Sequence, residues 1–128
     1  MGLKLMKVRS FTDLEIWKKG REIKIEIFKI CKTIPKEEKY VLSDQLKRAA
    51  ISVTANIAEG YGRYHFKENI QFLRMSHGSL YELLDHLITC VDLNYLDENS
   101  FKNLEDSIFA NIKMINQFIN YLRNRKNN

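Results

Sequence analysis

Between Phe66 and Val91 the positions Phe66, Ile70, Leu73, His77, Leu80, Leu84, Leu87 and Val91 alternate steps of four and three without interruption. A strand would repeat every second residue, so a sustained step of about 3.5 residues places these side chains along one stripe of a long helix. Ile16, Gly20, Ile23, Ile27, Ile30 and Ile34 show the same step, with Trp17, Phe28 and Cys31 widening that stripe. Leu42, Leu46, Ala49, Ala50, Val53 and Ile57 make a third stripe. Phe101, Leu104, Ile108, Ile112, Ile115, Ile119 and Leu122 make a fourth. Each stripe must bury itself against another, which leaves an all-α bundle as the fold class.

Local punctuation sets the expected boundaries. Thr12 and Glu15 have capping-box spacing, so the first helix is expected over 12–33, with Pro35 closing it. Glu37 and Glu38 suit the positive end of a second helix over 37–59. Gly60 is its expected left-handed cap, and Gly62 keeps the turn open. The third helix is expected over 66–94, with His77 in its core seam, and the fourth over 99–123, with a frayed tail from Asn124. Helices of about 20 residues span about 30 Å, and short connections make neighbours antiparallel. Residues 1–128 therefore read as one antiparallel up-down-up-down four-helix bundle, long enough for a core without staples.

The net charge of +5 is uneven. It collects in the first helix and at both termini, where Lys4, Lys7 and Arg9 and then Arg123, Arg125 and Lys126 lie. That distribution points to an anionic partner. The two cysteines, Cys31 and Cys90, have neither a second thiol nor a His at metal-ligand spacing, so reduced, packed thiols in a cytoplasmic protein are expected. The N-terminal residues form no signal-peptide core, and no run of about 18 apolar residues suggests a membrane partner.

Chemistry-bearing patterns are few. His65, His77 and His86 include no i, i+4 pair, and no carboxylate cluster accompanies them. The Gly60-Tyr61-Gly62 turn follows a helix, whereas a phosphate-binding glycine loop precedes one. No catalytic residue, metal or cofactor is expected, and the chain reads as a non-enzyme. The polar side of the second helix is more telling. Arg48, Ser52, Ala55 and Glu59 step by four, three and four, with Asn56 at the flank, and the small Ser and Ala invite another backbone to approach. Two readings fit it. Arg48, Ser52, Ala55, Asn56 and Glu59 form a helix–helix or subunit contact, or Arg48 and Arg63 join Lys67 and Arg74 in a phosphate-facing surface. Lys18, Lys19 and Arg21 form the densest basic cluster of the first helix, for which a solvated face is the plainer reading. Tyr61, Tyr64 and Phe66 alternate with Arg63, His65 and Lys67, a weak sign of stacking beside cationic contacts.

Several of these segments carry a family resemblance. They are Phe11-x-Asp13-Leu14-x-x-Trp17, Ile34-Pro35-x-Glu37 and Leu42-x-x-Gln45-Leu46-x-Arg48-Ala49-Ala50-x-Ser52. Asn56-Ile57-Ala58-Glu59-Gly60-x-Gly62-Arg63 follows, then Phe72-Leu73 and Gly78-Ser79-Leu80-x-Glu82-Leu83. Over roughly residues 11–96 the chain resembles the four-helix-bundle proteins encoded by intervening sequences in bacterial 23S rRNA genes. It is similar in fold to the accessory variability determinant proteins of diversity-generating retroelements. The resemblance implies a homopentamer without known catalytic activity; the retroelement relatives bind nucleic acid and a reverse transcriptase through basic surfaces. Gly20 departs from the Ala common there, and His77 from small or apolar residues. The expected partners are thus other copies of the chain, RNA or DNA, and a nucleic-acid enzyme such as a reverse transcriptase. A protein-interaction scaffold that ignores nucleic acid is the alternative.

Overall fold

The computed structural model describes residues 9–126. Four helices account for most of them: α1 (Glu15–Cys31), α2 (Asp44–Tyr61), α3 (Phe66–Asp92) and α4 (Glu98–Lys126), with no strand among the described residues. Each packs on its neighbour in sequence, and α1 packs on α4, closing a four-cornered bundle. Residue pairs reveal the directions. Lys24 reaches Thr54 while Cys31 reaches Ser43, so α1 and α2 run oppositely. Ser76 donates to the carbonyl of Val53, whereas Gly60 lies against Asn69 and Phe72, so α3 opposes α2. Tyr81 meets Phe109, and Arg74 shares a cleft with Arg123, so α4 opposes α3. The expected up-down-up-down order holds.

The four stripes converge on one core. Ile23 and Ile27, Leu46, Val53 and Ile57, Leu73, Leu80 and Leu87, and Ile108 and Ile115 are all at most 2% exposed. Burying each such side chain contributes roughly 1.5–3 kcal/mol. In α3 the expected stripe is buried at Ile70, Leu73, Leu80, Leu84 and Leu87, and the seam widens to one side through Ser76, Leu83 and Cys90. Ser76 is fully buried because it is small and its hydroxyl donates to the α2 backbone at Val53. The bulkier His77 stays half-buried at the seam's edge, tilted on Tyr81 with ring centroids 5.3 Å apart. Both cysteines are free and buried, and burial pushes the Cys90 thiol up to about 11.

Helix ends differ from expectation for physical reasons. Ser10, not Thr12, is the first cap: its hydroxyl accepts from the Thr12 N–H at 3.0 Å above a short 3-10 turn, Phe11–Asp13. Phe11 packs edge-on against Trp17 at 5.4 Å and Leu14 is 4% exposed, so burial of these two holds the chain out of α1 until Glu15. The second helix is entered through a 3-10 turn at Lys36–Glu38 and a π-helical turn at Lys39–Ser43. That wide turn keeps Leu42 and Ser43 inside while Tyr40 and Val41 face solvent. α4 continues helical through Asn124 to Lys126, where the Arg125 guanidinium lies over the Tyr121 ring. Lys4 and Lys7 lie outside the described residues.

Gly60 does not act as a left-handed cap. It is buried within α2, no described glycine has positive φ, and Gly62 closes the helix at φ −75°. The left-handed residue is instead Asn94, φ 64°, just past the end of α3. Glycine is required at position 60 by contact: a Cβ there would lie 2.5 Å from Asn69 Oδ1 and 3.0 Å from Phe72 Cβ. Gly60→Ala is expected to destabilise the fold by about 1–3 kcal/mol, a cost larger than the helix-propensity gain of at most about 1 kcal/mol. Urea denaturation measures this, and an unchanged or raised midpoint would mean that Asn69 and Phe72 give way freely.

Candidate nucleic-acid interface

Antiparallel packing sorts the charges along the bundle. One end gathers residues 9–24 of the N-terminal region, 54–77 around the α2–α3 turn and the last part of α4, 111–126. These segments carry twelve Lys/Arg against five Asp/Glu. The other end, residues 25–53 and 78–110, carries seven against eleven. Residues 9–126 are therefore a charged rod with a net +7 end and a net −4 end, to which Lys4 and Lys7 add two further charges in the sequence. The chain's modest net charge of +5 conceals that polarity. A concentrated field of this kind attracts polyanions more strongly than the same charge spread evenly.

All six expected cationic residues fall at the positive end, although they are not equivalent. Lys18 pairs with Glu15 at 3.5 Å and Lys19 with Glu22 at 3.7 Å. Exposed pairs of this type are worth only about 0–1 kcal/mol, so either lysine is readily drawn to a stronger anion. Arg21 lies over Trp17 at 5.6 Å. Arg63 is the most constrained, 2.9 Å from Glu59 and 4.8 Å above the Phe72 ring. Lys67 and Arg74 are exposed and make no ion pair among the described residues. Lys67 sits in the first turn of α3, where the helix dipole favours acids, so stability does not account for its charge.

The polar stripe of α2 divides in two. Ser52 turns toward α3 and shares a 2.8 Å hydrogen bond with Ser79, while Asn56 Nδ2 donates to both the carbonyl and the hydroxyl of Ser52 at 2.9 Å. These small polar groups thus close the α2–α3 seam of the chain itself. Arg48, Ala55 and Glu59 face solvent, and Glu59 pairs with Arg63 rather than with Arg48. Of the aromatic run, Tyr64 is 97% exposed and Phe66 packs against the core.

The sequence reading misses Arg123, Asn116 and Asn120 as site residues. They line a cleft with Arg74 and His77. The sequence concentrates basic residues near the C-terminus; that α4 brings Arg123 beside Arg74 follows only from the packing. Among the described residues no three His, Cys, Asp or Glu side chains cluster as a metal site.

Comparison with known proteins decides the family. Residues 12–117 match the family described as 23S rRNA-intervening sequence protein. The chain belongs to that family. A crystal structure of a protein of unknown function from the S23 ribosomal protein family of Bacteroides thetaiotaomicron superposes on it with a TM-score of 0.75. The two are 19% identical, and the superposition covers 81% of this chain and 97% of that one. At that identity the likeness speaks for the shared bundle. Comparison with curated proteins gave no match. No helix among the described residues is long and apolar enough to cross a membrane.

Proposed function

We propose that this member of the 23S rRNA-intervening sequence family is a non-enzymatic, homo-oligomeric accessory factor that binds RNA or DNA through its positive end. Recognition rests on charge and shape rather than base sequence, and a nucleic-acid enzyme such as a reverse transcriptase is the kind of protein it would assist. The observation that carries this reading is the sorting of twelve basic residues against five acids onto one end of the rod. A pentamer whose copies point the same way would repeat that field around a ring, multiplying the phosphates it can engage.

The test is a salt series with a labelled structured RNA and a matched duplex DNA. Each phosphate neutralised on B-DNA contributes about −0.9 to the slope of log K against log salt. A slope steeper than about −4 on the duplex is expected if the positive end makes five or more contacts. Absence of binding to either probe at low salt would sink the proposal.

One observation favours the second reading, a protein-interaction scaffold. Between α1 and α2, Ile25 (44% exposed), Phe28 (36%) and Ile51 (48%) form an apolar strip rimmed by Lys24, Lys29 and Lys32. This strip lies beside the exposed Arg48 and Ala55, so it is a better subunit or partner contact than Ser52 and Asn56. If nucleic acid fails to bind at all, this is the surface that remains to be explained.

A further inference from the structure

The groove between α3 and α4 changes character along its length. At the positive end it opens into a cleft of about 450 Å³ lined by Arg74, His77, Asn116, Ile119, Asn120 and Arg123. No carboxylate of the described residues lines it. Arg123 Nη1 donates to Asn120 Oδ1 at 3.2 Å, which orients one edge of the guanidinium and leaves the rest of its N–H groups available. Two guanidiniums sharing one cleft without an acid repel each other, and a phosphate oxygen between them would relieve that repulsion with directional, charge-assisted hydrogen bonds.

One turn further along α3 the groove becomes aromatic. His77 leans on Tyr81 at an interplanar angle of 50°, and the Tyr81 ring meets Phe109 edge-on, with centroids 6.3 Å apart and an angle of 75°. Tyr81 is 47% exposed and Phe109 43%, large for rings already in contact with each other. Further along, Asp92 on α3 and Glu98 on α4 line the groove with Lys102 and leave it net acidic. A polyanion laid in the groove therefore has one favourable course, from the aromatic pair toward the arginines.

We infer that this groove binds single-stranded nucleic acid, with a backbone phosphate between Arg74 and Arg123 and an unpaired base stacked on Tyr81. The inference rests on the nucleic-acid reading above and narrows it. A duplex presents phosphates to a cationic surface as readily as a single strand does, but its bases are already stacked on each other, so only an unpaired base can use the ring of Tyr81. Stacking accepts any base, in keeping with recognition that does not depend on sequence.

The experiment compares labelled oligo(U) RNA, oligo(dT) DNA and a mixed-sequence duplex of equal length at one low salt concentration. Proteins tested are the unaltered chain, Tyr81→Ala, Tyr81→Phe and Arg74→Ala/Arg123→Ala, each checked for unchanged helicity. At least one of the two single strands is expected to bind more tightly than the duplex. Tyr81→Ala should weaken that strand by roughly 5- to 150-fold and leave duplex binding within twofold. Tyr81→Phe should keep the affinity, because the ring and not the hydroxyl carries the contact. The double arginine variant should weaken the strand and flatten its salt dependence. Equal binding of strand and duplex, with Tyr81→Ala affecting neither, would overturn the inference while leaving charge-driven binding intact. Failure of every probe to bind would overturn both.

Discussion

Asn111→Asp is expected to destabilise the bundle by about 3–5 kcal/mol at pH 7 and to do so far less at pH 4. Asn111 is fully buried between α4 and α1. With its amide oriented to satisfy both groups, the nitrogen donates to the carbonyl of Ile16 at 3.2 Å and the oxygen accepts from the N–H of Gly20 at 3.3 Å. An aspartate keeps the second bond but turns an oxygen toward the Ile16 carbonyl, setting acceptor against acceptor in a site without water-like polarity. A protonated carboxyl restores the donor, so the folded state favours the neutral acid and its pKa lies above the unfolded value of about 3.9. The sign follows. Below about pH 4 both states are protonated and the penalty is small; it grows as pH rises, by about 1.4 kcal/mol per unit until the folded pKa is passed, and is constant thereafter. Urea denaturation of Asn111→Asp and of the unaltered chain at both pH values measures the difference. An equal deficit at pH 4 and pH 7 would show that shape, not the lost donor, is what the site requires.

Position 111 also shows what can be read along a chain and what cannot. The periodic stripes name the four helices because burial of one face acts on every turn, and nearly all the stripe residues of α2 and α4 are buried as expected. Gly20 stands out within the α1 stripe, but its reason sits on another helix. A Cβ there would lie 3.2 Å from Val53 Cγ1 and Thr54 Cγ2 and 3.3 Å from the Asn111 amide. Nothing local to Asn111, a polar residue beside Ile112, announces that it bridges α1. Gly60 is the same case: its place before a turn suggests a cap, while the true constraint comes from Asn69 and Phe72 across the turn. Ser76 and His77 exchange roles because a stripe of four-and-three steps is wide, and a small hydroxyl with a backbone acceptor buries more cheaply than an imidazole.

The candidate interface divides in the same way. Segment by segment, the sequence shows basic termini and a basic first helix. The positive end emerges only when antiparallel packing sets the start of α1 beside the end of α4 and the α2–α3 turn. Lys18, Lys67 and Arg74 are therefore legible as cations but not as neighbours. Arg48, named with them, belongs to the other half of the rod, since α2 runs from the acidic end toward the basic one.

That geometry separates location from total charge, and the separation can be measured. Lys18→Glu/Lys67→Glu/Arg123→Glu changes three exposed residues at the positive end, and Lys36→Glu/Lys39→Glu/Lys102→Glu changes three exposed residues at the other. Each substitution subtracts two charges, so both variants pass from the net +5 of the chain to −1. If polyanion binding followed net charge, the two would lose affinity alike. If it follows the positive end, only the first should. Taking about 1.5 kcal/mol for each charged hydrogen bond removed, three lost contacts amount to roughly 1000-fold weaker binding at low salt. The salt slope on duplex DNA should flatten by about 2.7. The second variant should keep its slope, because its contacts are unchanged, and lose affinity only through a long-range term that ions screen within about 10 Å at 0.1 M salt. Fluorescence anisotropy with one duplex across a salt series reads both quantities. Parallel losses in the two variants would mean that the sorted charges give the rod its solubility and its dipole, and that nucleic acid is held elsewhere or not at all.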